Sequence, residues 1–130
     1  MLLLVLAAAA AAPSHLKVKG IDYGPQVVIS GTWFSNFENS RFAECMGKRC
    51  DALRLEDDAS IDCVNGACGA LDHAALRLTH QKYDAAPDGS FEIRFVGRRG
   101  LYTHEPRWLG DGGRSVLIEH LLSVKKVPDR

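Results

Sequence analysis

Residues 90 to 124 read SFEIRFVGRRGLYTHEPRWLGDGGRSVLIEHLLSV, and the rest of the chain is organised around this stretch. Phe91, Ile93 and Phe95 alternate with Glu92 and Arg94, the period-2 pattern of a strand with one buried face. From Ser115 to Val124 the apolar character is nearly continuous, which predicts a strand covered on both sides over part of its length. Between the two runs a basic, aromatic loop, Gly97 to Arg114. The core is therefore expected to be a sheet, with these two strands at its centre.

Working outward, Asp88-Gly89 makes the turn into this pair. Before it, Leu71, Ala74, Ala75 and Leu78 recur at helical spacing and predict a helix over Ala70 to Tyr83, bracketed by Gly69 and Pro87. Its other side carries His73, Arg77 and His80 as a solvated face. Two histidines seven residues apart stand about 10 Å apart along the axis, too far to share one metal ion, so no metal site is expected.

Val27 to Phe34 is β-branched and aromatic, a first strand in which Gly31 suggests a bulge or a sharp bend. Arg41 to Cys45 alternates and is expected as the second strand, followed by weaker candidates at Leu53 to Leu55 and Ser60 to Val64 on either side of an acidic turn. Residues 13–26 contain Gly20, Gly24 and Pro25 and read as a flexible lead-in, with order beginning near Val27. The expected order is strand, strand, strand, helix, strand, strand. That is mainly β with one helix between strands 3 and 4, the order of the five-stranded Greek-key barrel called the OB-fold. One domain, 27–127, is expected, with a cysteine-rich insertion at 45–68.

The composition is that of a globular domain: 130 residues, 46% hydrophobic and 25% charged. Sixteen basic residues balance sixteen acidic ones, so the molecule as a whole has no field to gather polyanions, and any anion site must be local. Residues 1–12 form an uncharged apolar run ending in alanines. This is too short to span a bilayer and reads as a signal peptide, although no Lys or Arg precedes its apolar core. A periplasmic or secreted location follows, with no membrane span after cleavage.

Cys45, Cys50, Cys63 and Cys68 agree with export, since an oxidising compartment would pair them. Four cysteines allow three pairings. The local one, Cys45 with Cys50 and Cys63 with Cys68, is slightly preferred over the nested one, Cys45 with Cys68 and Cys50 with Cys63. Structural zinc more often uses C-x2-C knuckles than the C-x4-C spacing found here.

With this element order, the run Gly97-Arg98-Arg99-Gly100-Leu101-Tyr102 through Leu109-Gly110-Asp111-Gly112-Gly113 resembles a segment of small, uncharacterised exported bacterial OB-fold proteins. The likeness covers about Val27 to Val124, and the cysteine-rich insertion departs from it. It implies a location for function, because the loop joining the last two strands commonly frames an OB-fold's ligand. In this chain that loop holds Arg98, Arg99, Tyr102, His104, Arg107 and Trp108, the expected ligand-binding set. Guanidinium groups form paired hydrogen bonds to carboxylate or phosphate, and the aromatic rings stack on sugars or bases.

The expected function is thus a non-enzymatic exported binding domain for an anionic ligand: an oligosaccharide, a nucleic acid or an acidic protein surface. The alternative is a protein–protein module, such as an inhibitor or an envelope assembly factor, acting with an extracytoplasmic protein and stabilised by two disulfides. A competing reading makes the same loop purely structural, its arginines solvated or paired with acids. Ser115, Ser123 and the cysteines lack the histidine and acid setting of a nucleophile, and the adjacent Glu56, Asp57 and Asp58 do not form an acid and base pair. No cofactor is expected, and Gly110-Asp111-Gly112-Gly113 lacks the order of a phosphate loop.

Overall fold

The structure, a computed structural model, describes residues 12–45, 47, 50, 58–82 and 85–128. Residues 1–11 of the expected signal, the strand candidate Leu53 to Leu55, the acidic Glu56 and Asp57, and Tyr83 lie outside the described residues. The elements are β1 (Leu16–Val18), β2 (Ile21–Tyr23), β3 (Val27–Ser35), β4 (Ser40–Glu44), β5 (Ser60–Cys63), α1 (Ala67–Leu78), β6 (Gly89–Arg99) and β7 (Ser115–Lys126).

The last five strands form one mainly antiparallel sheet in the order β4-β3-β6-β7-β5, with β5 parallel to β7. The sheet curls until its two edges meet. Phe42 on β4 and Ala59 beside β5 exchange two backbone hydrogen bonds of 3.0 and 2.8 Å, so the sheet is a nearly closed barrel. Its interior is filled from alternate positions: Ile29 and Trp33, Phe42, then Phe91, Ile93 and Phe95, then Val116 and Ile118. Trp33 and Phe91 pack with ring centroids 5.2 Å apart, and Phe42 meets Phe95 edge-on at 5.5 Å. Each such buried ring contributes about 1.5–3 kcal/mol from apolar area alone.

β7 is covered on both faces where the sequence is continuously apolar. Val116 and Ile118 look inward, while Leu117 meets Ile21 and Tyr23 on the outside. That outer cover corrects the reading of residues 13–26 as a flexible lead-in. They carry the β1–β2 hairpin, with Tyr23 fully buried. Its two-residue turn has Lys19 at φ 49° and Gly20 at φ 79°, the doubly left-handed form that suits tight hairpins. Lysine is an uncommon residue there, which hid the hairpin signal.

Gly31 is not at a bulge. β3 pairs without interruption across it with both β4 and β6, and the irregularities fall instead between β6 and β7, at Arg94/Phe95 and Val96/Gly97. Glycine is needed at 31 because the Phe42 ring and the Ala43 carbonyl occupy the space a Cβ would take.

The helix starts three residues earlier than expected and ends earlier, at Leu78. Gly66, in a left-handed conformation, caps it, and the Cys63–Cys68 disulfide ties its first turn to the end of β5, so Gly69 lies inside it. The buried stripe is Ala67, Leu71, Ala75 and Leu76, and Leu78 turns towards solvent. The second disulfide joins Cys45 to Cys50, which gives the local pairing. Among the described residues no helix is long and apolar enough to cross a membrane.

Candidate functional site

β6 runs three residues further than its alternating pattern indicated, through Gly97, Arg98 and Arg99. Two of the expected ligand residues therefore sit on a strand, and the connecting loop is 100–114.

Arg98 is 1% exposed. Continuing the alternation in which Phe91, Ile93 and Phe95 point inward, it lies on the outer face of the sheet, beneath the segments that lead into and out of the β1–β2 hairpin. Its Nε donates to Glu119 Oε1 at 2.7 Å, and its Nη1 donates to the carbonyls of Pro13 and, at 3.1 Å, Gly24. A buried guanidinium requires such full partnering. Arg98 thus stands as the pin that holds the N-terminal segment on the barrel, away from the loop surface.

Arg107 is the second pin. Its Nη1 donates to Asp62 Oδ2 at 2.9 Å, and its Nε and backbone N–H both donate to Asp111 Oδ2 at 2.9 Å. The Tyr23 hydroxyl donates to the same Asp62 oxygen at 2.5 Å. His104 Nε2 lies 2.7 Å from the Ser115 hydroxyl, which also accepts from Arg107 Nη2 at 3.2 Å, while the Gly112 N–H donates to Ser60 Oγ at 2.7 Å.

This chain of polar groups folds the loop back against β5 and the start of β7. Burial raises the Asp111 pKa, but the side-chain and backbone hydrogen bonds from Arg107 outweigh it and hold the carboxyl well below the usual range. Burial, with the hydrogen bond to Asp62 next, pushes the Tyr23 phenol well above its ordinary value.

Because Arg107 is fixed, the next residue is presented outward. Trp108 is 48% exposed, with the Arg107 guanidinium 4.4 Å from its ring centroid. It opens on a cleft of about 270 Å³. Leu109 and Gly110 form the same wall, Ser60 and Ile61 the floor, and the β3–β4 turn, Asn36 to Asn39, the far wall. Phe37, on that turn, is 85% exposed. The Asn36 carboxamide oxygen accepts from the N–H groups of Glu38 and Asn39, which sets the turn and leaves Phe37 at its tip. Phe37 was missing from the expected set, yet an aromatic alone in Ser35-Asn36-Phe37-Glu38-Asn39-Ser40 has no strand or helix pattern to bury it.

Arg99 and Tyr102 lie elsewhere, at the open mouth of the barrel. There a second cleft, of about 260 Å³, is bordered by Glu44, Arg99, Leu101, Tyr102, Arg114 and Val116 among others. Arg99 grips Glu44 through Nε at 2.9 and 3.1 Å and through Nη2. The expected set is therefore distributed over four places: Arg98, with Glu119; Arg107 and His104, inside the loop; Arg99 and Tyr102, at the mouth cleft; and Trp108, at the other cleft.

Among the described residues no group of three or more His, Cys, Asp or Glu is gathered to hold a metal ion. No protein-family model, curated protein or solved structure matches the chain.

Proposed function

We propose that this protein is an exported, non-enzymatic binding domain of the OB-fold kind, which holds its ligand on the 97–114 segment. The OB-fold reading is supported by the strand order, with β3 to β7 taken as its five strands, by the parallel β5–β7 pair and by the closing Phe42–Ala59 bridge. Export is supported by the two disulfides.

The observation that carries the binding reading is the Trp108 cleft, where an outward indole on the 107–111 turn, held by Arg107 and Asp111, faces Phe37 and the polar Glu38 and Asn39 of the β3–β4 turn. Of the ligand classes considered, an oligosaccharide fits this cleft best. Rings stack on Trp108, hydroxyls reach Glu38 and Asn39, and the guanidinium groups of Arg98, Arg99 and Arg107 are already neutralised by Glu119, Glu44, Asp62 and Asp111. A nucleic acid would need several cations free for phosphate.

Trp33 is buried, so Trp108 is the tryptophan whose fluorescence reports on this cleft. Titration with acidic and neutral oligosaccharides and with oligothymidylate tests the reading. Quenching by a glycan that disappears in Trp108→Ala is the expected result. Quenching by oligothymidylate alone, or by no probe, refutes it.

A protein–protein module is the second reading, favoured by Phe37 and the fully exposed Leu109 as apolar tips on either side of the cleft. Capture of a protein partner that survives saccharide excess and is lost in Phe37→Ala with Leu109→Ala would select it.

A further inference from the structure

We infer that the mouth of the barrel is a second binding site, for a small monoanion with an apolar or hydroxylated body, held by Arg99 and Arg114 with the Glu44 carboxylate beside them as an opposing charge. The site lies apart from the Trp108 cleft and shares with it only the loop.

The charge count is the first observation. Two guanidinium groups and one carboxylate border the mouth cleft, leaving one net positive charge beside the exposed Leu101 and the edges of Ala59 and Val116. Arg114 is exposed and has no ion-pair partner among the described residues. Arg99 spends Nε and Nη2 on Glu44, and no bond to its Nη1 is made among the described residues. That edge of the guanidinium fork keeps its donors for a second carboxylate, so an anion joins Arg99 and Arg114 without displacing Glu44.

The second observation is size and shape. A volume of about 260 Å³ is that of about nine waters at about 30 Å³ each, which suits one hexose-sized body and not a polymer. Tyr102, 70% exposed at the rim, supplies a ring face and a hydroxyl. Leu101 is fixed from behind, because its N–H donates to the Asp22 carbonyl of the hairpin at 2.8 Å. The cleft thus has an apolar wall held in place and a cationic wall with unused donors. A neutral sugar would leave the positive charge uncompensated, and a dianion would meet Glu44.

The experiment is an amide-resolved NMR titration with D-glucuronate and, as its neutral counterpart, D-glucose. Glucuronate is expected to shift Arg99, Tyr102 and Arg114, with glucose at least tenfold weaker at the same residues. Arg114→Ala, an exposed change, is expected to weaken glucuronate at least tenfold. Glu44→Gln is expected to tighten it several-fold by removing the opposing charge, whereas a merely structural Glu44 would give no gain. Equal shifts from both sugars, weaker binding in Glu44→Gln, or no shift up to the solubility of the probe would overturn the proposal. Shifts confined to Phe37 and Trp108 would overturn this site and leave the Trp108 cleft standing.

Discussion

Tyr23 and Asp62, thirty-nine residues apart, meet in a buried 2.5 Å hydrogen bond that joins the N-terminal hairpin to the same carboxylate that anchors Arg107. The hairpin and the 100–114 loop are therefore held through one side chain. Tyr23→Phe keeps the ring and removes the donor, and is expected to cost about 2 kcal/mol in denaturant unfolding, since a bond to a charged acceptor is lost inside the protein.

The same contact sets an alkaline limit. The folded phenol pKa is raised above its unfolded value of about 10, so the folded state holds its proton where the unfolded chain has released it. The stability due to this group is full below about pH 10 and is lost progressively as pH rises beyond it. Unfolding midpoints measured across that range should fall more steeply for the native protein than for Tyr23→Phe.

Asp111 gives the opposite sign. Its folded pKa is depressed below the ordinary carboxylate value of about 4, so its contribution is present above that pH and lost as pH falls through the folded value. Asp111→Asn leaves Asp62 as the one carboxylate bonded to Arg107 among the described residues and is expected to cost about 3 kcal/mol at neutral pH, with a shallower loss of stability in acid than the native protein shows. Thermal melts at pH 7 and pH 3 check both parts.

Gly97→Ala is expected to prevent folding or to cost more than about 3 kcal/mol, because the added Cβ would fall on the Leu117 carbonyl oxygen, a backbone atom of the neighbouring strand. By contrast, Gly69→Ala meets nothing in the helix and should be neutral or slightly stabilising. Circular dichroism melts of the two variants give the comparison.

The Cys63–Cys68 bond closes a short loop, so its removal in Cys63→Ser with Cys68→Ser should cost about 2 kcal/mol on the chain-entropy estimate. The loss should appear first as faster amide exchange in the first turn of α1.

Periodicity made the strands legible. Phe91, Ile93 and Phe95 declared one buried face, and the unbroken run Val116 to Ile118 declared two. Pairing across the chain left no such mark. Nothing near Arg98 announces Glu119 or the Gly24 carbonyl, and nothing near Arg107 announces Asp62, so basic residues fixed inside the fold read as a cationic surface. Trp108 and Tyr102 were legible because an aromatic amid turn residues has nowhere to be buried. Gly31 shows the limit of local rules: its reason is the Phe42 ring on the neighbouring strand, a contact that no periodicity around either residue announces.

One feature of the sheet bears on how the molecule is made. β7 lies between β6 and β5, and Ser60 finds its partner only when Ser115 is present, just as Val27 waits for Gly97. A chain growing from its N-terminus cannot settle by stages, because the strand that joins the two halves is synthesised last. Assembly is expected to be slow, all-or-none and dominated by the search for distant partners. Until that strand arrives the apolar positions of β3 and β6 stand open to solvent, so the barrel interior closes in a single late step.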